Sequence, residues 1–533
     1  MKKPLEENGI HRAKLWEIAF YALNNTSTNI YMALMGYISY YLISIVGVGA
    51  VLAGSFVTVM RIWDGVTDPF VGFVVDKTNT KFGKNRPFIV VGQIILFVSS
   101  FILFNVTPSI PKAGRFPFFV VVYMVYIIGY TCQCVVTKSA QSCLTNDPKQ
   151  RPIFAMFDSV YNVVALTMIV PIYISGTLIP KYNVTNDAGE VTLSAFYNPE
   201  MFHHLQLLFG CIAAVCAVLA VIGLWRKDRQ EYFGTGEVVK VGFKDYVDVL
   251  AHNRAIQMLV ASASSDKLSM SMRNNATIMI TMFGVICGNY ALYGSVSALT
   301  SIPVCLLTIL GMGYIGRNLG QKKALVIGTI GSIASALGIF LLMWLGDPTS
   351  MKLPIVNGIK GLLNPATWSP ANWSLFGLTF IFLYIVLGGF MSIASSIVIP
   401  MTADCADYEV YRSGRYVPGL MGTLFSFVDK IISSLAATFV VLMFAAIGFT
   451  KELPVESTPY SDGIFWVTMA CFIGAPLIGW IINLIAMKFY PLTKEKMEEI
   501  QEEIAAIKAK AMTFTKNWLK GGGFLADSLS HGR

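Results

Sequence analysis

Charged side chains are scarce in this chain. Asp, Glu, Lys and Arg make up 13% of its 533 residues and apolar types 55%, with a mean hydropathy of +0.60. A soluble globule of this length carries about twice that share of charge, so the composition excludes a water-solvated domain and makes the lipid bilayer the solvent. Histidine is scarcer still: His11, His203, His204, His252 and His531 all fall in loops, tails or at the ends of apolar runs. No nucleophile–base pair, metal-ligand cluster or phosphate loop stands out, which excludes an enzyme and leaves no cofactor to expect. The nine cysteines lack the paired spacing of a disulfide framework or zinc site, and Cys132-Gln-Cys134 has no histidine nearby, so they read as small packing residues. The polar amino terminus, 1–14, is not followed by a short apolar stretch with a cleavage site, so the first helix is expected to serve as the insertion signal.

What the chain has is long apolar runs. They predict helices near 15–45, 48–75, 87–107, 117–143, 153–179 and 203–225, then near 256–283, 290–316, 324–345, 372–401, 416–447 and 462–489. A polar stretch with Arg226, Lys227, Arg229, Lys240, Lys244 and Arg254 divides the two sets. The expected organisation is a tail (1–14), a six-helix bundle (15–225), a central loop (226–255), a second bundle (256–489) and a carboxy-terminal tail (490–533). With both termini and the central loop cytoplasmic, the outside loops hold only Lys112, Arg115, Lys181, Lys352, Lys360 and Lys451 of the 40 Lys and Arg residues, which favours a multi-pass inner-membrane protein in that orientation. The halves echo each other: Lys81, Gly83, Lys84 and Arg86 follow the second helix, and Arg317, Gly320, Lys322 and Lys323 follow the eighth. Such a parallel repeat predicts an all-α membrane protein of the major facilitator fold, about twelve transmembrane helices in two six-helix bundles with a cavity between them. Two long outside loops, 180–202 and 346–371, carry no functional reading. The tail after Thr493 has helical spacing and predicts a surface helix.

The sharpest feature is Arg61-Ile-Trp-Asp64-Gly-Val-Thr67-Asp68-Pro69 in the second helix. Asp64 and Asp68 stand one turn apart on one face, where two carboxylates repel. Three remedies are open: a proton neutralises one acid, a small cation bridges them, or Arg61 offsets the charge. The plainer alternative is an Arg61–Asp64 ion pair, with Asp68 merely ending the helix. Polar stripes elsewhere (Tyr21, Asn25, Thr28 and Asn29; Gln133, Thr137, Lys138 and Gln141; Asp158 and Asn162; Ser262, Asp266 and Arg273; Ser426, Asp429 and Lys430) predict a wet central cavity for a neutral or weakly charged polyhydroxy ligand.

Four stretches give the chain a resemblance: the helix-two motif, the loop Asp76 to Pro87 ending in Lys-Phe-Gly-Lys-Asn-Arg-Pro, the run Ala403-Asp404-Cys-Ala-Asp407-Tyr-Glu-Val-Tyr-Arg412, and Tyr490-Pro-Leu-Thr493. Their order and spacing resemble the glycoside-pentoside-hexuronide:cation symporter family, of the melibiose permease type. The resemblance implies symport of a sugar, glycoside or uronide with Na⁺, Li⁺ or H⁺. It implies a cation site of Asp64, Thr67, Asp68 and a helix-four residue, here Gln133, with Asp64 and Asp68 as the metal ligands if the ion is Na⁺ or Li⁺. Lys430 then links cation and sugar sites, and Asp404 and Asp407 serve as inner-gate charges. Asn25, Thr28, Lys138, Asp158, Ser426 and Lys430 are the candidate substrate contacts. The sugar site departs from the galactoside pattern: Thr28 and Val136 stand where acids are usual, Ala140 and Ser395 where aromatic rings are usual, and Lys138 suits an anionic sugar. Expected partners are the sugar, the cation and the bilayer, with the protein a monomer and no nucleic acid involved. Two rivals stay open, a carrier for lipids or other non-sugar solutes and a non-transporting membrane sensor.

Overall fold

The computed structural model describes residues 12–78, 80–145, 151–187, 191–229, 251–311, 314, 315, 317–356, 361, 364–413, 418–500, 502 and 503. Twelve long helical runs dominate it. The first half holds α1 (Leu15–Met35, bent by 41° into Ile38–Val46), α2 (Ala50–Lys77), α3 (Arg86–Ser109), α4 (Lys112–Ser139), α5 (Met156–Tyr182) and α6 (Pro199–Leu224). The second half holds α7 (Arg254–Arg273, continued by Ala276–Ile286), α8 (Ala291–Gly311), α9 (Gln321–Leu345), α10 (Leu375–Ser413), α11 (Pro418–Ala446) and α12 (Asp462–Phe489). Among the described residues, eight helices are long and apolar enough to cross a bilayer, nine if bent α1 is one span. Two that fall short, α2 and α7, carry the intramembrane charges Arg61, Asp64 and Asp68, then Asp266, Lys267 and Arg273. Charge lowers hydropathy where the protein, not lipid, must satisfy it.

Helix starts follow local chemistry. Asn198 accepts from the Glu200 amide ahead of Pro199, Asn253 from the Ile256 amide and Ser461 from the Ile464 amide, so donors that the helix leaves orphaned are satisfied. The repeat seen in sequence is built in three dimensions. Gly83, before α3, and Gly320, before α9, both adopt positive φ, 102° and 85°, a conformation that only glycine enters freely. In the first half the turn closes on Asp228 just beyond α6, whose carboxylate accepts from the amides of Asn85 and Arg86 at 2.9 Å each. In the second half it closes on the segment beyond α12, where Lys322 donates to the Tyr490 carbonyl at 2.7 Å. The helix expected after Thr493 is present over 494–500.

Within the first group α1 packs on α6 and α3 on α4; within the second α9 packs on α10 and α7 on α12; the groups meet through α2 against α11 and α5 against α8. Six runs per half put the described ends, near Arg12 and Glu503, on one face, the near face. Cross-bundle contacts gather toward the opposite, far face. The Ala50 amide donates to the Thr450 carbonyl at 3.2 Å, Tyr40 Oη to the Pro454 carbonyl at 2.8 Å, and Thr58 Oγ1 to the Ser434 carbonyl at 2.8 Å. Gly54 allows the close approach of α2 to α11, since a Cβ there would lie 2.9 Å from Val441. The 180–202 connection, which includes a small hairpin (β1, Val184–Thr185; β2, Val191–Leu193), joins this closure. Ser194 Oγ lies 3.0 Å from both carboxylate oxygens of Glu456, and Tyr197 Oη donates to Glu452 at 3.3 Å. In the other long loop, Val356 packs with Ile172 of α5 and Ala298 of α8. The far end of the bundle interface is closed.

Candidate functional site

Below this closure α2 turns Asp64 and Asp68 toward α11. The Asp64 side chain is 1% exposed, and its Oδ2 lies 3.3 Å from Lys430 Nζ and 3.6 Å from the Arg61 guanidinium. Lys430 also donates to Asp68 Oδ2, so one ammonium reaches across the interface to both acids. Two cations thus face two carboxylates in a partly buried site, which offsets a cost of several kcal/mol per unpaired ion. The remaining oxygens come from hydroxyls. Thr131 Oγ1 of α4 donates to Asp64 Oδ1 at 3.2 Å and lies 3.1 Å from Thr67 Oγ1. Asp64 Oδ2 makes no hydrogen bond, only the two longer ion pairs. A void of about 30 Å³, bounded by Arg61, Asp64, Tyr123 and Tyr130, adjoins it, room for a single water-sized guest. Carboxylate and hydroxyl oxygens at this density suit a hard cation or a proton.

Gln133 does not join this cluster. It is fully buried, its Oε1 accepting from Thr28 Oγ1 at 2.9 Å and its Nε2 donating to Gln93 at 3.1 Å. Two residues advance an α-helix by about 200°, so the Thr131 face of α4 meets α2 while the Gln133 face meets α1 and α3. Thr28 is likewise 1% exposed and bonded to the Asn24 carbonyl and Gln133, which places it in packing and away from a cavity wall. Both a hydroxyl and an amide carbonyl can ligate a hard cation, so nothing in the sequence separated Thr131 from Gln133.

The α1 and α5 walls meet through paired polar side chains. Asn25 donates to Asp158 at 2.7 Å and Asn29 to Asn162 at 2.8 Å, all half-buried. The α7 stripe serves packing instead: Ser262 donates to Asn483, Trp480 donates to Asp266, and buried Arg273 lies over the rings of Tyr384 and Phe472. Tyr21 and Thr137 also bond within the first bundle. Asp404 and Asp407 lie toward the near-face end of α10, with Gln321 of the same bundle as an Asp404 partner. The side chains of Lys138 and Ser426 lie outside the described residues.

Comparison with known proteins places this arrangement. The pattern of the MFS/sugar transport protein family matches residues 21–494. A glucuronide carrier protein homolog of Escherichia coli (strain K12) is 22% identical over 91% of this chain and 94% of its own length. A sodium-dependent lysophosphatidylcholine symporter, 1-A, of Danio rerio is 22% identical over 87% and 90%. The crystal structure of the nucleoside transporter NupG superposes with a TM-score of 0.56 at 12% identity, covering 89% of this chain and all of that one, a likeness of fold. These relatives are transporters and not enzymes, and by the match over most of its length this chain belongs to the MFS/sugar transport protein family, within its sugar and cation symporters.

Proposed function

We propose that the chain is a symporter that couples uptake of a sugar, glycoside or uronide to Na⁺, Li⁺ or H⁺ across the inner membrane, with both termini cytoplasmic. The observation that carries this is Lys430 of one bundle pairing with Asp64 and Asp68 of the other. In the positive-inside orientation the closed far end is the outside. Asp64, Asp68, Thr67 and Thr131 supply oxygens for the incoming cation, which competes with the Lys430 ammonium for the same carboxylates. Arrival of the cation releases Lys430 toward the Asn25–Asp158 wall, and loss of the cation restores the cross-bundle bridge. Ion occupancy thereby biases the equilibrium between the two arrangements of the bundles, which is the physical content of coupling.

The polar Asn25–Asp158 and Asn29–Asn162 pairs offer donors and acceptors to sugar hydroxyls. The Danio rerio relative favours a second reading, a sodium-coupled lipid carrier. Uptake of labelled glycosides, uronides and lysophospholipids into proteoliposomes, under imposed Na⁺, Li⁺ or H⁺ gradients, separates the two. Gradient-driven accumulation of a glycoside or uronide that Asp64→Asn abolishes supports the sugar symporter. Accumulation of the lysophospholipid alone moves the assignment to the lipid carrier.

A further inference from the structure

A second concavity lies apart from the Asp64 site. It is a groove of about 310 Å³ among α1, α5 and α6, lined by Ile30, Met168, Ile169, Tyr173, Phe209 and Ile212 among others, and every lining residue belongs to the first bundle. Ile169 and Ile212 are exposed, 39% and 44%, so in a bilayer the groove opens on the hydrocarbon. Its wall is apolar except at one end. There Tyr173 Oη lies 2.9 Å from His204 Nε2, and Tyr182 Oη lies 2.9 Å from His204 Nδ1. Lys181, exposed, stands over the Tyr182 ring at 5.1 Å. An apolar trough ending in a Tyr–His–Tyr relay beside a lysine has the polarity profile of a lipid: acyl chain along the trough, acidic headgroup at its mouth.

The dimensions agree. Lys181 and Ile169 are twelve residues apart on α5, about 18 Å of helix, close to one leaflet of a hydrocarbon core of about 30 Å. The basic mouth lies at the far-face end of α5 and the trough runs toward mid-membrane. We propose that this groove holds one anionic glycerophospholipid of the far leaflet, its acyl chain against Ile169 and Ile212 and its phosphate beside Lys181 and the Tyr173–His204–Tyr182 relay. The chain in the groove braces α5, whose Ile172 packs with Ala298 of α8, so the lipid favours the closed far end.

The test uses full-length protein purified in detergent, incubated with phosphatidylglycerol or phosphatidylcholine and examined by native mass spectrometry. The parent should retain one phosphatidylglycerol per chain. Ala165→Trp and Ile212→Trp, which fill the groove, should each reduce retention about fivefold or more, and Lys181→Gln should erase the preference for phosphatidylglycerol over phosphatidylcholine, since that factor corresponds to about one headgroup ion pair. Val218→Trp, on another lipid-facing position of α6, should leave retention unchanged. If Ala165→Trp fails to fold, Ile212→Trp decides, because that side chain is already exposed. No phosphatidylglycerol on the parent, or undiminished retention by a folded groove-filling variant, overturns the proposal.

Discussion

At the scale of single residues, the helix-two motif told most of what it could. Asp64 and Asp68 share a face as their spacing requires, and the structure uses one of the three remedies left open, Arg61 approaching Asp64, and adds a basic group from α11 that was not among them. The choice of the helix-four partner failed because composition cannot report helix rotation; an amide and a hydroxyl two residues apart look alike until α4 is packed. The distinction is testable by ion activation of transport. Thr131→Val removes one oxygen ligand while keeping side-chain volume, and should weaken apparent cation affinity about tenfold, the equivalent of about 1.4 kcal/mol. Gln133→Leu should leave cation affinity near the parent value and instead lower thermal stability, by about 1–3 kcal/mol for the partners it leaves unsatisfied at Thr28 and Gln93. A large loss of ion activation in Gln133→Leu with none in Thr131→Val would reverse the assignment.

At the scale of elements, the basic loops after α2 and α8 were legible as a repeat but not as joints. Their glycines mark positive-φ turns, and each turn docks on the segment that leaves the sixth helix of its own half. Asp228 had no motif to announce it; it lies 142 residues from Arg86 along the chain and is found only by packing. A Cβ on Gly83 would meet the Asp228 carboxylate at 2.2 Å, in a backbone conformation that disfavours any side chain. Asp228→Asn keeps the shape but removes the charge that accepts the Asn85 and Arg86 amides and faces Arg86. It should lower the melting temperature by several degrees, since charge-assisted hydrogen bonds contribute about 1.5–3 kcal/mol each. Gly83→Ala should destabilise the protein as well. Differential scanning fluorimetry of the purified variants checks both, and wild-type melting for the pair would mean the joint is dispensable.

At the scale of the whole molecule, the 180–202 loop, silent in the sequence, reaches the opposite half through Ser194 and Glu456. Burial raises the Glu456 carboxyl above its ordinary value, partly offset by hydrogen bonds from Ser194 and Asn183. An acid whose affinity for protons is higher in the closed arrangement binds more protons there than when hydrated. The closed far end is therefore stabilised as pH falls from above the raised value toward the ordinary glutamate range, and loses that stabilisation as pH rises through the raised value. Glu456→Gln should remove this dependence and hold the far end closed at neutral pH. Distance measurements between spin labels on the far-face loops, at pH 5 and pH 8, read it directly; an unchanged pH response in Glu456→Gln would rule the device out.

The sequence alone determined the solvent, the helical class, the parallel repeat and the carboxylate pair, because hydropathy, charge asymmetry and one-turn spacing are local properties of the chain. Only the tertiary structure decided which face of α4 meets Asp64, that Lys430 crosses to both acids, that the α7 polar stripe is packing, and which end of the interface is shut. Those depend on the rotation and approach of helices distant in sequence, and such contacts leave no periodicity behind in either partner alone.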